Sequence, residues 1–196
     1  MMNVSQQLET EEDLLPCLHI KLYHPQQSSK GLYELIPLGK RSKHPAEDPF
    51  RLGRDGQACT VALLDNRVSR KQLALQAYHT AKSPGMLFTI QNLSQKARLS
   101  VNSSALDFLE KIDLPDKALI RFGEYEMLII RDSGEAKASF EVEFEVLTVP
   151  PSRETCACVP SITPVLDTGS FITNSLPGEL RIIGPLETDE TAICYS

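Results

Sequence analysis

The chain has no apolar run near the roughly 18 residues needed to cross a bilayer. Its opening, MMNVSQQLETEEDLL, lacks the cationic segment and apolar stretch of a secretory leader. The expectation is a soluble, cytoplasmic protein. Excess positive charge is missing too: 20 Lys+Arg stand against 26 Asp+Glu, a formal net charge of -6. Coating nucleic acid or an anionic membrane requires a broad positive surface, so neither partner is expected. The five cysteines, Cys17, Cys59, Cys156, Cys158 and Cys194, offer no CxxC spacing and read as reduced thiols. The histidines, His19, His24, His44 and His79, lie in separate segments with no HExxH pair. No metal site and no cofactor is therefore expected, and nothing favours an enzyme.

What is present is short alternation. LHIKLY sets Leu18, Ile20 and Leu22 against polar neighbours, the period-2 pattern of a strand with one buried face. LYELIPL, TVALL, QLALQAY, MLFTIQN, RLSVN, ALIRF, YEMLII and SFEVEFEVLTV follow as further short runs. GRDGQ, HTAKSPG and RDSGE punctuate them with turn residues. No amphipathic helix interrupts the series. The reading is an all-β, antiparallel sandwich over residues 17–149. Residues 1–16, acidic and without Lys or Arg, read as a flexible N-terminal tail. Residues 150–196 hold six of the 13 prolines and read as a mostly disordered C-terminal tail.

Against the acidic background, NRVSRKQLALQ gathers Arg67, Arg70 and Lys71 around the hydroxyl of Ser69, which suggests a local anion. LGRDG lies upstream and IQNLSQKARLSVN downstream. Arg54 offers a planar guanidinium for bidentate bonds to phosphate oxygens. Ser69 adds a hydroxyl donor, and Asn92 offers an amide able to hold an extended peptide. Gly53 and Gly56 permit a tight turn. GKRSKHP, Gly39 to Pro45, reads as a charged loop between strands.

These three segments resemble the forkhead-associated (FHA) domain pattern, a Gly-Arg pair, then Ser-Arg-x-His, then an Asp-Leu-Ser-x-Asn-Gly-like turn. The resemblance implies a β-sandwich whose end loops read phosphothreonine. Gly53 and Arg54 would form the Gly-Arg element, Ser69 would contact phosphate, and Asn92 with Gln91 would hold the peptide. Three positions depart from the pattern: Gln72 replaces a loop-bracing histidine, and Lys96-Ala97 replaces Asn-Gly.

VSRKQLALQ, KIDLP and IRFGEYEML are similar to a narrower family, the small adaptors called TRAF-interacting proteins with an FHA domain. That resemblance implies that Thr10, flanked by acidic residues in LETEEDLL, is a phosphorylated switch bound by the FHA domain of another protomer. It also implies an upstream α-kinase, oligomerisation from a homodimeric unit, and NF-κB output in innate immunity. In GPLETDETA, Pro185, Glu187 and Glu190 resemble the peptide motif taken by TRAF-family ubiquitin ligases. The rival reading is a nuclear FHA reader of phosphothreonine on a separate protein.

Overall fold

The structure, a computed structural model, describes residues 14–155; Thr10, Pro185, Glu187 and Glu190 lie outside the described residues. Twelve strands, numbered in chain order, form two sheets. The larger runs β2 (Arg41–Pro45), β12 (Ser139–Val146), β1 (Cys17–Tyr23), β11 (Tyr125–Asp132), β10 (Lys117–Phe122), β7 (Leu99–Val101) and β8 (Ser104–Leu106). The smaller runs β4 (Val61–Ala62), β3 (Phe50–Gly53), β5 (Leu73–Thr80), β6 (Ser83–Asn92) and β9 (Lys111–Asp113). Most neighbours are antiparallel, as expected, but β1 pairs with β12 and β3 with β4 in parallel. The β1–β12 pairing joins the two ends of the domain, with Ile20 beside Phe144.

Alternation explains which faces meet. Along β6, Met86, Phe88, Ile90 and Asn92 are buried and their neighbours are not; along β12, Phe140, Val142 and Phe144 are buried while Glu141, Glu143 and Glu145 point outward. Between the sheets, Phe88 meets Phe140 edge-on at 5.0 Å and Phe50 lies 6.1 Å from Phe144. Such aromatic pairs add to the area they bury. Leu18, Ile20, Leu22, Leu73 and Leu75 complete the same core.

Two expectations need correction. LYELIPL is no strand: Leu32, Tyr33 and Ile36 are buried on successive turns, with Ile36 N bonding Tyr33 O, and only Leu38 bridges to Phe144. Spacings of one and four residues fit a turn, not a pleat. The segment Arg41–Pro45, expected as a loop, is edge strand β2, whose alternate exposed cations and proline are a common way to blunt a sheet edge. Past Val149, Pro151–Thr155 forms a single helical turn, α1, with Ser152 donating from both N and Oγ to Glu126 on β11.

Candidate functional site

Gly53 ends β3 where the loop carrying Ser69 and Arg70 crosses it. A Cβ there would fall 2.8 Å from the Arg70 carbonyl carbon and 2.9 Å from Cys59 Sγ, and nearer still to the Arg70 oxygen. Only glycine allows this approach. It lets Arg54 N donate to Ser69 O at 3.0 Å and Asp55 N to Arg70 O at 3.2 Å, so the two loops are laced together. Gly53 is itself buried, which makes it a spacer between loops. The side chain of Arg54 is exposed on the rim.

Ser69 is held from below. Its N–H donates to Gln72 Oε1 at 3.3 Å, so Gln72, 1% exposed, braces the loop in the position where the resembled pattern has histidine. Ser69 Oγ lies 2.6 Å from Ser94 Oγ. Ser94 Oγ already accepts from Lys96 N and Ala97 N. A hydroxyl has one donor and two acceptor sites, so Ser94 donates to Ser69 and the Ser69 hydrogen stays available to a ligand.

Asn92 departs from its expected role. It is 0% exposed, its Nδ2 donates to Ala97 O and Leu106 O, and its Oδ1 accepts from Ser94 N. Both its donors and one acceptor site are spent inside the protein, which fixes the 93–97 loop and turns the amide away from a peptide. Gln91 is likewise turned to Leu109 O, at 2.9 Å. Ser94 went unassigned in the sequence, although its two-residue spacing from Asn92 is the signal of a side chain capping its own turn.

The cations divide into two groups. Arg67 bonds Asp65 through N and Nε, makes a very short contact with Glu124, and reaches His24 Nε2 at 3.2 Å. Tyr125 also donates to Asp65, at 3.0 Å. Arg67 is thus neutralised within a structural corner. Arg54, Arg70, Lys71 and Lys96 are exposed and take part in none of the ion pairs among the described residues. They line one cleft of about 700 Å³ with Ser69, Ser94 and the single carboxylate of Asp55, and the paired Arg67 reaches its edge. The surplus of positive charge in so small an opening favours a compact anion with several acceptor oxygens.

Two histidines make the domain acid-sensitive, His24 in the corner beneath the cleft and His44 on β2 against Phe50. Burial lowers the pKa of His24 below its usual 6.5, with Arg67 adding to that against Glu124, and burial also lowers His44. Burial pushes the Asp65 carboxyl up, but bonds from Arg67 and Tyr125 outweigh it and hold the group low. A histidine depressed in the folded state binds its proton more readily when unfolded, so stability falls as pH drops below about 6.5. Asp65 acts in the same direction at lower pH. The urea midpoint should fall between about pH 7 and about pH 5, less steeply in His44→Gln; a midpoint that rises toward acid would contradict this.

The FHA domain family model matches residues 50–123. A TRAF-interacting protein with FHA domain-containing protein A from Rattus norvegicus is 36% identical over 73% of this chain and 77% of its own length. The Homo sapiens protein of that name is 36% identical over 68% and 72%. The Homo sapiens protein B is 30% identical over 71% and 83%. A solution structure of the FHA domain of an Arabidopsis thaliana protein aligns with 64% of this chain and 90% of that one, at 21% identity and a TM-score of 0.43.

Proposed function

Because this chain belongs to the family of TRAF-interacting proteins with an FHA domain, we propose that it is a non-enzymatic signalling adaptor whose cleft binds phosphothreonine. The observation that carries the reading is the cluster of Arg54, Arg70, Lys71 and Lys96 around the available hydroxyl of Ser69. A phosphothreonine brings about -1.5 to -2 charges and three strong acceptor oxygens. Arg54 supplies the planar fork, Ser69 a neutral donor, and the lysines mobile point charges.

The ligand is phosphorylated Thr10 of another protomer. Glu9, Glu11, Glu12 and Asp13 surround Thr10 with the charge that the cleft lacks. Six residues lie between Thr10 and Cys17 at the start of β1, at most roughly 25 Å of chain, which favours exchange between molecules over self-docking. Head-to-tail exchange between dimeric units builds an open oligomer. The assembly presents many copies of the Pro185, Glu187 and Glu190 motif to a TRAF-family ubiquitin ligase, and avidity compensates for weak single contacts. An upstream α-kinase writes the phosphate, and the output is NF-κB signalling in innate immunity from the cytoplasm.

Complementation tests the exchange. The chain phosphorylated on Thr10 should sediment as large oligomers, and neither Thr10→Ala nor Arg54→Ala alone should do so. A mixture of phosphorylated Arg54→Ala, whose dimer carries two tails, with Thr10→Ala, whose dimer carries two clefts, should restore large oligomers by alternation. Large oligomers formed by Thr10→Ala alone would overturn the mechanism and favour a phosphothreonine on a separate protein.

A further inference from the structure

The outer face of the large sheet carries a group unconnected with the cleft. Cys17 and His19 are two residues apart on β1, so their side chains leave the same face. Parallel pairing with β12 sets His19 beside Glu143. Cys17 Sγ, a His19 ring nitrogen and a Glu143 oxygen lie within 4.8 Å of one another. A tetrahedral zinc with bonds of about 2.0–2.3 Å separates its ligands by about 3.3–3.8 Å, so side-chain rotation of about 1 Å closes the set.

We propose that Cys17, His19 and Glu143 form a binding site for a divalent transition metal, with zinc the best match and the fourth position open. The donor chemistry is mixed thiolate, imidazole and carboxylate, which suits borderline-soft Zn²⁺ and not the all-oxygen preference of Ca²⁺ or Mg²⁺. The arrangement around the histidine is the second support. His19 Nδ1 faces Glu143 Oε2 at 3.3 Å while Nε2 meets Asp132 Oδ2 at 2.8 Å. A carboxylate on the far nitrogen fixes the tautomer and ring orientation of a metal-binding histidine. The strand pair thus supplies ligands, and β11 supplies the residue that aims one of them.

Arg41 of β2 is the group that must yield. It lies 3.2 Å from Glu143 Oε2 and 3.6 Å from Glu141 Oε2, and it is half-exposed. On metal binding it retains Glu141 and releases Glu143. Cys17 lies at the start of β1, about 20 Å along the strand from the end that leads to His24 and Arg67. A metal here does not compete with phosphate.

Cobalt(II) added to the full reduced chain is the probe, because a cysteine thiolate on Co²⁺ gives a charge-transfer band and tetrahedral visible bands. The expected result is one Co²⁺ per chain with both features, displaced by Zn²⁺, and loss of the charge-transfer band in Cys17→Ser. Glu143→Gln, a partly exposed change that leaves the core intact, should weaken Co²⁺ well over tenfold, and Asp132→Asn by about tenfold as an outer-shell change does. Absence of the band in the parent chain, or its persistence in Cys17→Ser or undiminished affinity in Glu143→Gln, would overturn the proposal. Cys59, Cys156, Cys158 or Cys194 would then be the source of any thiolate signal.

Discussion

Replacing Arg54 with alanine should raise the dissociation constant of a phospho-Thr10 peptide about 10- to 100-fold and leave the domain's stability unchanged. Hydrogen bonds to charged groups contribute about 1.5–3 kcal/mol each, and about 1.4 kcal/mol corresponds to a factor of ten. The Arg54 side chain is exposed and outside every described ion pair, so its removal takes nothing from the fold. Arg67→Ala should behave in the opposite way. That side chain ties Asp65, Glu124 and His24 together, so its loss should lower the denaturation midpoint, and, its charge being already paired, should weaken peptide binding less than loss of Arg54 does. Calorimetric titration and urea denaturation of the two variants side by side separate the roles. Equal loss of affinity in both would mean that the division of cations described above is wrong.

Asn92→Ala should destabilise the domain by about 3 kcal/mol, because it strands three groups at once: Ser94 N, Ala97 O and Leu106 O. Each buried polar group left unmade costs about 1–3 kcal/mol, and partial access of water reduces the sum. Peptide binding should fail with it, since the 93–97 loop presents Ser94 to Ser69. A residue that held the peptide directly would give a different result, weaker binding at unchanged stability. Asn92→Asp refines the test: it keeps the acceptor for Ser94 N but sets a buried carboxylate oxygen against Ala97 O and Leu106 O, so it should cost at least as much as alanine in a urea titration.

Much of the sandwich was legible because alternation is a local property. LHIKLY, QLALQAY, MLFTIQN and SFEVEFEV each carried their buried face in plain order, and each is a strand. The segments that misled were those where context decides. RSKHP has no apolar alternation, yet Glu141, Glu143 and Ser139 on β12 give it a partner. LYELIPL looks extended but curls, because Leu32, Tyr33 and Ile36 find the core from a turn. Parallel pairing of β1 with β12, more than a hundred residues apart, has no local mark at all.

The site divides in the same way. Gly53, Arg54 and Ser69 come together as their types suggested, linked by Arg54 N and Ser69 O. Asn92 continues the inward series Met86, Phe88, Ile90, which is the sequence signal for its burial. Arg67 could not be distinguished from Arg70 in sequence, because Glu124, which claims it, is 57 positions away. Gln72 shows that the brace under Ser69 depends on an acceptor in the right place, which an amide supplies as a histidine would.

The central claim is that phosphate on Thr10 creates the ligand for the Arg54–Ser69 cleft. A tail peptide spanning residues 4–16, with or without phosphate on Thr10, titrated into the full chain carrying Thr10→Ala, tests it most directly. The phosphorylated peptide should give saturable heat and the unmodified one none. Equal binding of the two peptides, or binding of neither, would contradict it.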